Sequence, residues 1–168
     1  MTPLPLTTLF MLISVDGKIS TGDIDERDTD KDYPTIDGIK EGLQQYYEIE
    51  QLTDLCSLNS GRVWAKLGIN NQQEIVKTPV SFVLLDNTHL TLEGVKNALA
   101  KSQKLFLVTS NKNHPAYSLK SDNMEIIYYQ NKVDFQDLFS KLKNTYKIDK
   151  MTIQTGGTLN SILLRENL

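Results

Sequence analysis

The chain has 168 residues, 39% hydrophobic and 23% charged, with a formal net charge of -3. That size suits one domain spanning 1–168 whose core needs no disulfides, and the composition is that of an ordered globular protein, not a disordered one. The slight negative charge offers no bulk attraction to nucleic acid or to an anionic membrane, so any anionic ligand has to be held by local donors. The single cysteine, Cys56, excludes an intrachain disulfide and fits a reducing cytoplasm; with Leu55 and Leu58 beside it, it is expected to be a buried thiol. The N-terminus lacks the basic region of a signal peptide, and the apolar run from Leu9 to Val15 is too short to span a bilayer. A cytoplasmic location is expected.

In chain order, Thr8 to Val15 is almost continuously apolar and predicts a central strand covered on both faces, broken by the turn pair Asp16-Gly17. Ser20 to Pro34 is polar and acidic without periodicity, which predicts a long loop of the kind that serves as a lid. Ile39, Leu43, Tyr46, Ile49 and Leu52 recur at helical spacing, with Asp37 placed to cap the helix. The Tyr46–Tyr47 pair is read as core packing. A short strand over 55–59 leads through Ser60-Gly61-Arg62 into a helix over 63–67, closed near Gly68.

Further strands are expected over 79–86, 104–109 and 125–129, with a helix over 92–101 between the first two. Asp134 caps a helix carrying Phe135, Leu138, Phe139, Leu142 and Tyr146 on one face, and Asp137 stands where a capping-box acid would. Met151 to Gln154 forms the last strand, followed by Thr155-Gly156-Gly157-Thr158 and the start of a helix. Strands alternating with helices predict an αβ sandwich with a largely parallel sheet. Three strand ends, at Gly61-Arg62, Thr109-Ser110 and Gly156-Gly157-Thr158, combine glycine, hydroxyls and a fixed cation. Ligands of open αβ sheets bind at such ends, and a helix N-terminus suits phosphate.

These motifs together resemble one family. Ser14-Val15-Asp16-Gly17-Lys18-Ile19-Ser20 is similar to the "SLDGKIA" signature of the riboflavin-biosynthesis reductase domain, also called the bifunctional deaminase-reductase C-terminal domain. Gly61-Arg62 resembles its "GR", Leu107-Val108-Thr109-Ser110 its "LVTS" and Thr155-Gly156-Gly157-Thr158-Leu159-Asn160 its "GGGTLN", in order from about residue 8 onward. The resemblance implies a dihydrofolate reductase-like fold, a three-layer αβα sandwich on a mixed, mostly parallel sheet. It also implies an NADPH-dependent oxidoreductase, resembling 5-amino-6-(5-phosphoribosylamino)uracil reductase, that reduces a ribosyl group to ribityl, and a homodimer. By position, Gly61, Arg62, Thr109, Ser110, Gly156, Gly157 and Thr158 would hold the cofactor's phosphates. Asp16 and Lys18 would stand near the substrate and nicotinamide, Asp16 as a hydroxyl acceptor and Lys18 on sugar or phosphate. No metal is implied.

Two positions depart from the pattern. Trp64 stands where members of the family often carry threonine, which leaves the choice between NADPH and NADH open. The sequence also ends at Arg165-Glu166-Asn167-Leu168, before the family's closing strands, so the first strand is expected to lack its usual neighbour. Two alternatives stand beside the reductase: a dihydrofolate reductase, with Glu41 or Glu48 as the acid aimed at a pterin, and a non-enzymatic nucleotide-binding paralogue.

Overall fold

The computed structural model describes residues 3–24 and 26–168, excluding the side chains at 47 and 51–53. Six strands form one sheet in the order β1-β6-β2-β3-β4-β5. They are β1 (Leu6–Leu9), β2 (Cys56–Ser60), β3 (Ser81–Leu85), β4 (Leu105–Thr109), β5 (Met124–Tyr128) and β6 (Lys150–Ile153). Every pairing between them is parallel. The helices are α1 (Thr29–Asp32), α2 (Lys40–Thr53), α3 (Gly61–Lys66), α4 (Leu92–Lys101), α5 (Phe135–Asn144) and α6 (Gly157–Arg165). Among the described residues no helix is long and apolar enough to cross a membrane.

Side chains alternate across a strand, and here the alternation sorts the core into two layers. Val83, Phe106 and Val108 point to one face and pack with Leu138, Phe139 and Leu142 of α5 and Leu163 of α6. Phe82, Leu84, Leu105 and Leu107 point to the other and pack with Trp64 of α3 and Val95 and Ala98 of α4. The central strands are nearly all apolar because both faces are covered. Cys56 belongs to the first layer, as expected, and burial pushes its thiol up to about 12.

The first strand differs from the expectation. It is a short edge strand, Leu6–Leu9, instead of a central one over Thr8–Val15. Its register on β6 ends at Leu9 opposite Ile153, where β6 itself stops. After one further bond, from the Phe10 amide to the Ile153 carbonyl at 3.1 Å, the chain has no partner to follow and leaves the sheet. Ile13 and Val15 are exposed.

The segment from Ser20 to Pro34 is not a plain loop. Asp28 caps the single turn of α1 by accepting the Asp30 amide at 3.1 Å, and a 3₁₀ turn, Tyr33–Thr35, follows. Two expected caps are absent. Asp37 pairs with the Lys40 ammonium instead of capping α2, whose N-cap is Ile39. Asp134 does cap α5, but Asp137 turns outward to accept Tyr129 Oη at 2.7 Å and Lys141 Nζ at 2.6 Å. An aspartate is one methylene too short to reach back as the usual glutamate does. The apolar stripe of α2 is buried at Leu43, while Ile39 and Ile49 remain partly exposed; Leu52 and Tyr47 lie outside the described side chains.

Candidate functional site

A cavity of about 520 Å³ opens on the α2–α3 side of the sheet. Its walls come from the stretch that has left the sheet (Phe10, Met11, Leu12), from Tyr46 and Glu50 of α2, and from Val63, Trp64 and Phe82. Gln154, Thr155 and Gly156 at the end of β6 form its far rim. The early end of β1 therefore builds the site: the apolar residues beyond Leu9 wall the cavity instead of extending the sheet. Phe10 stacks on Tyr46, ring centroids 4.8 Å apart and 14° from parallel, and Trp64 meets Phe82 edge-on at 4.8 Å. Tyr46 is thus part of a ring wall and not simply core packing.

The polar lining is tied together through β6. Ser57 Oγ donates to Gln154 Oε1 at 2.7 Å, and Asn59 Nδ2 donates to Ser57 Oγ at 2.9 Å and to Gln154 Oε1 at 3.4 Å. Glu50 and Tyr46 of α2 stand on the same wall of the cavity as Gln154. Burial, opposed by Gln154 and by Lys101, holds the Glu50 carboxyl above the usual range. Burial, with Asp30 and Glu50 nearby, pushes the Tyr46 phenol up to about 12. Glu41 and Glu48, the acids considered for a pterin, are both exposed, and Glu48 accepts Gln44 Nε2 at 2.9 Å. The acid of α2 that lines the cavity is Glu50. Its signal in the sequence is its spacing, four residues after Tyr46 and seven after Leu43, on the inward stripe.

The expected site residues fall into five places. Gly156 and Gly157 open α6, with Gly156 at its N-cap and no side chain capping it. Neither has a positive φ. A Cβ on Gly156 would meet nothing within 4 Å, and one on Gly157 only Ile19 Cδ1 at 3.8 Å. The fold itself does not demand glycine here; the glycines leave open space beside uncapped helix amides. Thr158 is exposed on the first turn. This arrangement fits a phosphate group.

Gly61 is different. A Cβ there would lie 2.5–2.7 Å from the Cβ, Cγ and Oδ1 of Asp86. Asp86 cannot yield, since its side chain is fully buried and accepts the amides of His89 and Leu90, His89 Nδ1 at 3.0 Å and His114 Nε2 at 2.9 Å. The Ala116 amide donates to His114 Nδ1 at 3.2 Å, so the ring hydrogen facing Asp86 sits on Nε2. A carboxylate already faces the start of α3, so packing against Asp86 by itself accounts for glycine at position 61.

Arg62 lies beside that junction on a separate groove, with Lys31, Lys66, His89 and Glu26. Lys66 reaches across to Asp28 at 2.8 Å, and Asp28 lines the main cavity, so the two depressions adjoin. Thr109 and Ser110 are gathered by Asn87: its Oδ1 accepts Thr109 Oγ1 at 3.0 Å and the Ser110 amide at 2.7 Å. Asp16 and Lys18 sit on an exposed turn at Gly17 (φ 80°), paired with each other at 3.2 Å. Ser14, and then Lys18, hold the Asp16 carboxyl below its ordinary range. Neither lines the cavity, but the next residue, Ile19, does.

A parallel αβ sheet with a ring-walled cavity at strand ends and a glycine turn on its rim fits a dihydrofolate reductase-like fold. The chain belongs to the RibD C-terminal domain family, whose pattern matches residues 5–168. The fold is similar to that of the riboflavin biosynthesis reductase Rib7 of Saccharomyces, with a TM-score of 0.59 and 18% identity over 98% of this chain and 68% of that one. It is also similar to the deaminase/5-amino-6-(5-phosphoribosylamino)uracil reductase of Thermotoga maritima, with a TM-score of 0.61 and 15% identity over 97% of this chain and 42% of that one. RibD of Acinetobacter baumannii gives a TM-score of 0.62 and 17% identity over 98% and 44%. The chain thus spans less than half of either bacterial protein. No curated protein matches it. The family and fold read from the sequence motifs are borne out.

Proposed function

We propose that the chain is an NADPH-dependent reductase acting on a phosphorylated ribosylaminopyrimidine, reducing its ribosyl group to ribityl. The observation that carries this reading is the Gly156-Gly157 turn: in a chain of this family, open space beside uncapped helix amides borders a ring-walled cavity. Gly156, Gly157 and Thr158, with Thr109 and Ser110 at the end of β4, across β2 and β3 from β6 along the same sheet edge, would hold the cofactor's phosphates, and Arg62 would add a planar donor fork from the adjoining groove. When bound, the cofactor supplies the hydride. The chain's own residues bind and orient: Phe10, Tyr46 and Trp64 enclose a planar ring and exclude water, and Asp16 and Lys18 reach sugar hydroxyls and phosphate from the turn ahead of Ile19.

The test is turnover. Mixing the protein with NADPH and an aminopyrimidine ribosyl phosphate should consume the nicotinamide absorbance, while dihydrofolate should not. Consumption with dihydrofolate alone would reverse the assignment. No consumption with either substrate, together with no binding of NADPH, would leave a non-enzymatic paralogue as the better account.

A further inference from the structure

We propose that Lys66 couples the two depressions: a phosphate group entering the Arg62 groove draws the Lys66 ammonium from Asp28, and α1 loosens where it walls the cavity. The proposal rests on the reductase reading for its anion, a phosphate of the dinucleotide.

Two elements divide the depressions, and each gives residues to both. On α3, Val63 and Trp64 line the cavity while Arg62 and Lys66 line the groove. On the segment that carries α1, Asp28, Thr29 and Asp30 line the cavity while Lys31 lines the groove. The ion pair from Lys66 Nζ to Asp28 Oδ2, at 2.8 Å, crosses that partition, and its side chains are only 20% and 15% exposed.

Asp28 has a second duty. Its other oxygen accepts the Asp30 amide at 3.1 Å and so caps α1. That helix is a single turn, too short to persist on its own bonds, and Thr29 is its one buried residue. Asp30 and Asp32 follow in the same turn, so the cap stands among like charges that the Lys66 ammonium offsets. A phosphate group carries up to about twice the charge of a carboxylate. In the groove it would meet Lys66 together with Arg62, Lys31 and His89. Lysine is a point charge on a flexible stem and can turn from one anion to the other. Once it turns, the cap loses its counter-ion and that wall of the cavity gives way. The competition is reciprocal: the hold of Asp28 on Lys66 weakens anion binding, so removing that carboxylate's charge strengthens it.

The test uses inorganic pyrophosphate as the probe, at constant ionic strength so that screening is matched. It reads hydrogen exchange at the Asp30, Lys31 and Asp32 amides, which donate to Asp28 at 3.1, 3.2 and 2.9 Å. Saturating pyrophosphate should speed their exchange about fivefold, the effect of losing an N-cap, and leave the amides of β4 unchanged. Asp28→Asn keeps a capping oxygen without the charge, so α1 stays folded. In that variant α1 should be equally protected with and without pyrophosphate, and pyrophosphate should bind more tightly than to wild type. Lys66→Met should show fast α1 exchange from the outset and no further response. No binding of pyrophosphate, α1 exchange that pyrophosphate leaves unchanged or slows, or a response that survives in Asp28→Asn would overturn the proposal. NADPH binding is measured separately. A pyrophosphate response at α1 without NADPH binding would sink the reductase reading alone; NADPH binding with α1 indifferent to pyrophosphate would sink this inference alone.

Discussion

Two strand–glycine–helix junctions look alike in the sequence and do opposite work. At Gly61 the missing Cβ makes room for the protein's own carboxylate, Asp86, 2.5–2.7 Å from where that carbon would be. At Gly156 the missing Cβ leaves space that no neighbouring atom fills, and at Gly157 only Ile19 Cδ1, at 3.8 Å, comes near. A glycine before a helix therefore signals close approach without saying what approaches. One junction is closed by the fold, and the other is left uncrowded.

The largest test of this contrast is Gly61→Ala. The new methyl group meets a carboxylate fixed by the backbone of His89 and Leu90 and by two imidazoles, so it must displace α3 or the β3–α4 connection. A loss of about 3 kcal/mol in unfolding free energy is expected by urea denaturation, at the upper end of overpacking costs. Gly157→Ala should go the other way. With an ordinary helical backbone and an ordinary contact at Ile19, it should hold or raise stability by up to about 1 kcal/mol, while NADPH affinity falls roughly tenfold or more because the methyl group enters the ligand's space. If both variants lose stability alike, the two junctions are the same and the contrast fails.

Acid sharpens the closed junction. Burial tends to raise the Asp86 carboxyl, but bonds from His114, from the Leu90 and His89 amides and from the His89 ring outweigh it and hold the group below its ordinary range. A carboxylate whose folded value is depressed binds fewer protons in the native state. Its stabilisation is therefore complete above the unfolded value of about 3.9 and is lost as pH falls through the folded one. Asp86→Asn should lower stability at neutral pH and flatten the acid limb of the stability curve below about pH 4. An acid limb as steep as wild type would remove Asp86 from the account.

The smallest effect concerns Cys56. With its thiol pushed up to about 12 by burial in the layer opposite the cavity, native protein should react with a thiol reagent only as it unfolds, and saturating NADPH should slow that reaction in proportion to the stability it adds. Prompt labelling of the folded protein would contradict the packing described for that layer.

The elements most legible in the sequence were those specified locally. The α4 helix runs over Leu92–Lys101 as its periodicity predicts, and β3 and β4 follow from apolar runs that both layers need. What was not legible depends on partners distant in sequence. Leu9 to Val15 reads as strand throughout, and only the end of β6 at Ile153 explains why the sheet lets it go. Gly61 reads as a phosphate turn until Asp86, from the end of another strand, is seen filling it. Glu50 was within reach of a helical projection from Leu43 and Tyr46, but the cavity it lines is walled by Phe10 to Leu12 and by Gln154 to Gly156, distant in sequence.

The most direct measurement is an NADPH titration followed through Trp64, run on wild type and on Gly157→Ala in parallel with their unfolding curves. The account predicts saturable binding to wild type, weakened about tenfold in the variant with no loss of stability. It would be contradicted by an unsaturated signal at about 1 mM NADPH in wild type, or by a variant that binds as tightly as the parent.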